Sequence, residues 1–197
     1  MTLPTKLTLL RIFLTFITMA LLFVPGWPAK AAALGGFMVA SLTDWADGYL
    51  ARRWQQMTAL GALLDPIADK VLVLGMFLAF VQLGVIPAWM VLIIALREFL
   101  ITGVRLFAAS RQIVLAAAKE GKHKTVSQML AILVILAVLF IQEWQGEAIS
   151  QRTMTIMQGT MLGCLWIAMV LTVVSGASFF WRHRVVLKTA VSKGVSE

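Results

Sequence analysis

Apolar runs of bilayer length set the plan of this chain. Residues 7–24, 31–52, 60–80, 87–107, 125–141 and 154–181 each approach the ~20 residues that a helix needs to cross a hydrocarbon core. Short polar or proline-bearing breaks separate them, among them Pro25-Gly26-Trp27-Pro28 and the stretch holding Glu143, Glu147 and Arg152. No water reaches the backbone inside a bilayer, so each run must satisfy its own N–H and C=O groups as a helix. The expected fold is therefore an all-α integral membrane protein, six transmembrane helices forming one domain over residues 1–197. Composition agrees: 60% of the residues are hydrophobic and 13% charged, where a soluble domain carries about a quarter charged.

The charges that remain give an orientation. With the N-terminus in the cytoplasm, that side collects Lys6, Arg11, Arg52, Arg53, Arg111, Lys119, Lys122, Lys124, Arg182, Arg184, Lys188 and Lys193. Only Lys30 and Arg152 fall on the other side, so the positive-inside rule places both termini in the cytoplasm. The expected location is the inner (cytoplasmic) membrane, crossed several times. A net charge of +8 is dispersed among these loops with no basic-aromatic groove, which argues against a nucleic-acid partner. Cys164 is the one cysteine, so no internal disulfide forms. Lys6 and Arg11 before an apolar run, then Ala29-Lys30-Ala31, also fit a cleaved signal peptide, but the proline turn and the even number of spans oppose that.

Against this background the acidic residues stand out. Every aspartate in the chain lies between Asp44 and Asp69, as Asp44-x2-Asp47-Gly48-x2-Ala51-Arg52-x8-Gly61-x3-Asp65-x3-Asp69. A carboxylate near hydrocarbon costs about 2.5–3.5 kcal/mol on insertion scales. Asp44 and Asp47 are i and i+3 on one helix, Asp65 and Asp69 i and i+4 on the next, so each pair shares a face. Gly48, Ala51 and Gly61 leave the space between them free of bulk. Paired carboxylates supply the hard oxygen ligands that Mg2+ or Mn2+ prefers, and no Cys or His stands nearby to suggest zinc or iron. Singly these residues read otherwise: Asp65-Pro66 as a helix N-cap and first position, Arg52 as a snorkelling anchor. Neither reading explains why all the aspartates belong to one two-helix set.

The pattern from Asp44 through Asp69 resembles the full signature of the CDP-alcohol phosphotransferases. That resemblance implies the six-helix fold of the family, and the charge asymmetry puts the aspartate cluster, hence the active site, at the cytoplasmic side. The resemblance also implies two bound metal ions, a CDP-linked lipid held by its diphosphate, an alcohol acceptor and a homodimer. Carried over by position, Asp44, Asp47, Asp65 and Asp69 become metal ligands and Asp69 also the catalytic base. Gly48, Ala51, Arg52 and Gly61 would adjoin the nucleotide. Thr5-x2-Thr8-x2-Arg11 is similar to the first-helix motif of the family, usually opened by Asn, and adds Thr8 and Arg11 to the CDP-lipid site.

Outside the motif the unusual residues are Arg97, Glu98, Arg105, Lys122 and Lys124. Arg97 and Glu98 sit about ten residues into span four, where each needs a partner or a cavity. Neighbours on a helix point ~100° apart, so at least one should find its partner elsewhere. Arg105 follows Arg97 at i+8, on roughly the same face. Basic side chains leading into an acidic cleft suggest an acceptor that itself carries phosphate, and no aromatic or acidic pocket for choline or ethanolamine is visible. Arg97-Glu98 with Arg105, and Gly121-Lys122-His123-Lys124-Thr125 with Gln128, are similar to segments of the branch of the family that forms phosphatidylglycerophosphate. The resemblance implies CDP-diacylglycerol as donor, sn-glycerol 3-phosphate as acceptor and Arg97, Arg105, Lys122 and Lys124 as acceptor-phosphate ligands, among membrane lipids. For Lys122 and Lys124, anchoring at the membrane surface is an equal alternative. Inositol phosphate, phosphatidylglycerol or serine as acceptor, an intramembrane prenyltransferase and a divalent-cation transporter are the other readings. The transporter would want its carboxylates near mid-bilayer on broken helices.

Overall fold

A computed structural model describes residues 3–54, 59–110 and 120–193; within these, the side chains at 3–7, 44–54, 59–66, 120–123, 147 and 185–193 lie outside the description. Six α-helices and no strand occur among the described residues: α1 Leu3–Phe23, α2 Trp27–Trp54, α3 Ala59–Gln82, α4 Ala88–Ser110, α5 Glu120–Gln145 and α6 Gln151–Lys193. A short 3-10 turn, Gly146–Ala148, precedes α6.

Four of the helices, α2, α3, α5 and α6, outrun the expected spans at both ends, while α1 extends only at its start and α4 only at its end. The break expected at Pro25–Pro28 is confined to residues 24–26, and Trp27 and Pro28 already belong to α2. Proline is tolerated in a first turn because the N–H it lacks would have had no intrahelical acceptor. Pro66, read as a possible helix start, instead lies inside α3, which begins at Ala59. α6 continues past residue 181 to Lys193 because neither Gly nor Pro occurs between 177 and 193. Its 43 residues would span about 65 Å, well beyond a bilayer core, and its far end carries Arg182, Arg184, Lys188 and Lys193.

Gly26, Gly84 and Gly146 take positive φ values of 99°, 71° and 54° in the α1–α2, α3–α4 and α5–α6 connections, where an L side chain would be strained. These turns gather at one end of the bundle. There the Gly26 N–H donates to Glu143 Oε2 at 3.2 Å. Buried Lys30 donates to the carbonyls of Leu22 and Val24 at 2.5 and 3.0 Å, and so caps the end of α1.

Contacts run round a ring, α1–α2–α5–α6–α4–α3 and back to α1, with α3 also touching α5 across it. Close approach of α1 depends on glycine. A Cβ on Gly36 would come 2.7 Å from Thr18 Oγ1, and one on Gly75 would come 3.0 Å from Met19 Sδ. Phe37, Leu72, Met76, Phe77, Phe80, Met90, Ile94, Ile132, Ile135 and Leu136 are buried at the centre.

The exterior is apolar too. Phe13, Phe16, Leu42, Leu78, Leu92, Phe99, Leu106, Ile167 and Val174 are all exposed, a surface that water would not tolerate at this extent. Among the described residues, Lys124–Gln145 and Gln151–Arg184 are long and apolar enough to cross a membrane, and Thr8–Phe23 is apolar but shorter. This is a membrane protein.

Candidate active site

α2 carries Asp44, Asp47, Gly48, Ala51 and Arg52, and α3 carries Gly61, Asp65 and Asp69. Continuous helix through both segments preserves the i, i+3 and i, i+4 spacings on which a shared face depends. The expected convergence of four carboxylates lies outside the described side chains except for Asp69, which is half-buried. Among the described residues no group of three or more His, Cys, Asp and Glu is assembled. As a donor set the four residues fit a hard divalent cation: they offer only carboxylate oxygens.

α1 joins these two helices, since it packs against both. On it Thr8 is fully buried and Arg11 is 1% exposed, so this arginine belongs to the interior and not to the cytoplasmic surface charge it was counted with. Thr15 Oγ1 donates to the Arg11 carbonyl at 2.8 Å, so both are fixed on one stretch of α1.

Of the basic residues expected at the acceptor, Arg97, Arg105 and Lys124 cluster where α3, α4, α5 and α6 meet. Arg97 Nη1 donates to Glu98 Oε1 at 2.9 Å, so the adjacent pair does bond, because the long guanidinium stem bends round to its neighbour. Helix geometry demanded a second partner for at least one of them, and both have one. Arg97 Nη2 donates to Ser175 Oγ of α6 at 2.9 Å, and Lys124 of α5 is ion-paired with the same Glu98 oxygen. The side chains of Arg97, Glu98 and Lys124 are 10%, 15% and 13% exposed.

Electrostatic contacts extend this cluster in two directions. Asp69 acts on Lys124, and Lys70 on Glu98, which ties the cluster to the acidic helix α3. On the other side Arg105 lies within electrostatic range of Arg97, and its guanidinium stands 5.4 Å from the ring centre of Phe179. Arg97 and Arg105 thus both address α6, as their i+8 spacing required. Arg105 is exposed, so it can reach a ligand. Lys122 belongs to α5, with its side chain outside the description.

Sequence reasoning missed the contribution of α6. Ser175 bonds Arg97, Gly176 makes room for its stem, Phe179 supports Arg105, and Thr172 accepts from Gln128 Nε2 at 2.9 Å. The signal was the run Ser175-Gly176-Ala177-Ser178, small residues of the kind that let helices approach closely. The assembly offers cationic donors, a carboxylate within their field and an apolar exterior for lipid.

Comparison with known proteins gives the same direction. The profile of the CDP-alcohol phosphatidyltransferase family matches residues 1–181. A CDP-diacylglycerol–glycerol-3-phosphate 3-phosphatidyltransferase of Bacillus subtilis is 38% identical, covering 95% of this chain and 98% of its own. A protein of the same name from Rickettsia typhi is 33% identical over 90% of this chain and 94% of its own. A third, from Arabidopsis thaliana, is 37% identical over 69% of this chain and 64% of its own.

Proposed function

Because the chain belongs to the CDP-alcohol phosphatidyltransferase family, we propose that it transfers the phosphatidyl group of CDP-diacylglycerol to sn-glycerol 3-phosphate. The products are phosphatidylglycerophosphate and CMP, a step of phospholipid biosynthesis. The observation that carries this reading is the near end-to-end match to the Bacillus subtilis transferase of that name.

The site's chemistry follows from its charges. A hydroxyl oxygen of glycerol 3-phosphate attacks the phosphatidyl phosphorus; the bond from that phosphorus to the CMP phosphate oxygen breaks, and CMP leaves. Asp69 accepts the hydroxyl proton as the new bond forms. Lys124, Arg97 and Arg105, with Lys122, hold the acceptor's own phosphate and leave its hydroxyl end to meet Asp69. Thr8, Arg11, Gly48, Ala51, Arg52 and Gly61 adjoin the CDP-lipid, the small residues admitting its backbone-close diphosphate. Divalent-metal dependence goes with the family. Two Mg2+ or Mn2+ ions, held by Asp44, Asp47, Asp65 and Asp69, would neutralise the diphosphate and stabilise the attacking and leaving oxygens.

The proposed setting is one domain of six transmembrane helices in the inner membrane, with both termini and the active site on the cytoplasmic side. Two copies form a homodimer. The exposed apolar belt supports the membrane setting, and the basic end of α6 supports a cytoplasmic C-terminus.

An acceptor panel tests the reading. Protein purified in detergent, with CDP-diacylglycerol and Mg2+, should release CMP with glycerol 3-phosphate and not with inositol phosphate, phosphatidylglycerol or serine. Release with another acceptor alone would move the assignment within the family, and no release with any would remove it.

A further inference from the structure

Arg97 occupies an unusual seat. Its stem lies flat against the backbone of α6: a Cβ built on Gly176 would be 2.9 Å from Arg97 Cγ and 3.3 Å from Nε. Real Cβ atoms essentially never show a contact of 2.9 Å, so only glycine fits there without moving the arginine. One residue earlier, Ser175 Oγ accepts from Nη2 at 2.9 Å, while Glu98 takes Nη1 from the opposite side. The buried Nε faces Gly176 and donates to no acceptor among the described residues. A buried donor left unmet is destabilising, so burial alone gives no reason for this placement. The orientation is held by the notch, not by full satisfaction of the guanidinium.

The notch itself is fixed in register. Thr172, four residues before Gly176 and on the same face, bonds Gln128 of α5, and both are buried. Gly159 and Gly163, on the same helix, have nothing among the described residues within 4 Å of a Cβ position. Close approach is therefore a property of Gly176 and not of α6 glycines in general.

We infer that Ser175 and Gly176 of α6 are positioning residues that aim the Arg97 guanidinium at the phosphate of the acceptor, and so set the affinity for that substrate. This rests on the acceptor role given to Arg97 above. A Cβ at 176 would push the stem off α6 and swing the guanidinium out of line, and loss of the hydroxyl at 175 would release one of its two anchors. Neither residue meets the CDP-lipid in this account, so the donor should be indifferent to both.

The test is a set of Michaelis constants from CMP release, both substrates varied in turn. Gly176→Ala should raise KM for glycerol 3-phosphate about tenfold, the worth of a charge-assisted bond. Ser175→Ala should raise it severalfold, Ser175→Thr should restore it, and KM for CDP-diacylglycerol should hold in all three. Gly163→Ala should match the parent enzyme. Arg97→Ala should raise the acceptor KM at least as far, and Gly176→Ala should add nothing on top of it. If Arg97→Ala raises the acceptor KM while both α6 variants leave it unchanged, the positioning role falls and the proposed function stands. If Arg97→Ala leaves it unchanged, the acceptor role of Arg97 falls and this inference with it. Equal rises in both KM values would mean general damage to packing and would also overturn it. Should Gly176→Ala not fold, the Ser175→Ala and Ser175→Thr pair decides.

Discussion

Lys124 of α5 and Glu98 of α4 are joined by a direct ion pair across 26 residues of sequence, at the point where Asp69 of α3 also acts on the lysine. The bond does two things. It locks together two helices that have no other charged tie in this region among the described residues, and it fixes an ammonium within electrostatic range of the proposed base. Removing one partner from a desolvated pair leaves the other charge uncompensated, typically at a cost of 3–5 kcal/mol.

Glu98→Ala therefore strands two cations, Lys124 and Arg97. Thermal unfolding in detergent should show a loss of about 3 kcal/mol, and adding Lys124→Ala should recover part of it. An additive double variant would mean that the pair does not couple α4 to α5.

Asp69→Asn keeps the shape of the side chain and removes its basicity. CMP release should fall by about 10²–10⁴, the range for loss of a general base, while the protein still folds and is extracted as before. Near-normal turnover would remove Asp69 from that role.

Most of the helical plan was legible in the sequence, and the reason is physical. A long apolar run is read as helix from local composition and length alone, and each of the six expected runs has a helix over it. Helix ends were less legible because the bilayer constrains only the apolar part: Trp27-Pro28 could begin a helix as well as break one, and nothing in 182–193 stops α6. The aspartates announced themselves by spacing on two helices, which needs no tertiary information. What could not be read was which distant residues meet. Arg97 bonds both its neighbour Glu98 and Ser175, 78 positions away, and that choice depends on how α6 lies against α4. Arg11, counted with the cytoplasmic charge, is buried because α1 lies between α2 and α3.

Packing of α1 gives a stability prediction free of catalysis. Gly36→Ala would bring a methyl 2.7 Å from Thr18 Oγ1 of a buried threonine. Overpacking of this kind costs about 1–3 kcal/mol, measured as a lower melting temperature. Combining it with Thr18→Ala removes the clashing oxygen and should recover most of the loss.

At the turn end of the bundle, Lys30→Met keeps the packed stem and deletes the ammonium that caps Leu22 and Val24. Loss of charged hydrogen bonds to buried carbonyls should cost about 1.5–3 kcal/mol. Both Michaelis constants should be unchanged for the folded fraction, because Lys30 lies at the opposite end from Asp69. A selective change in either KM would contradict that separation.

Isotope transfer tests the central assignment most directly. Purified protein is given CDP-diacylglycerol, Mg2+ and glycerol 3-phosphate labelled with 32P, and the lipid extract and CMP are both quantified. The account predicts label entering the lipid one for one with CMP released, and neither product when the metal is chelated or Asp44 is changed to Asn. CMP release with no label in the lipid would contradict it.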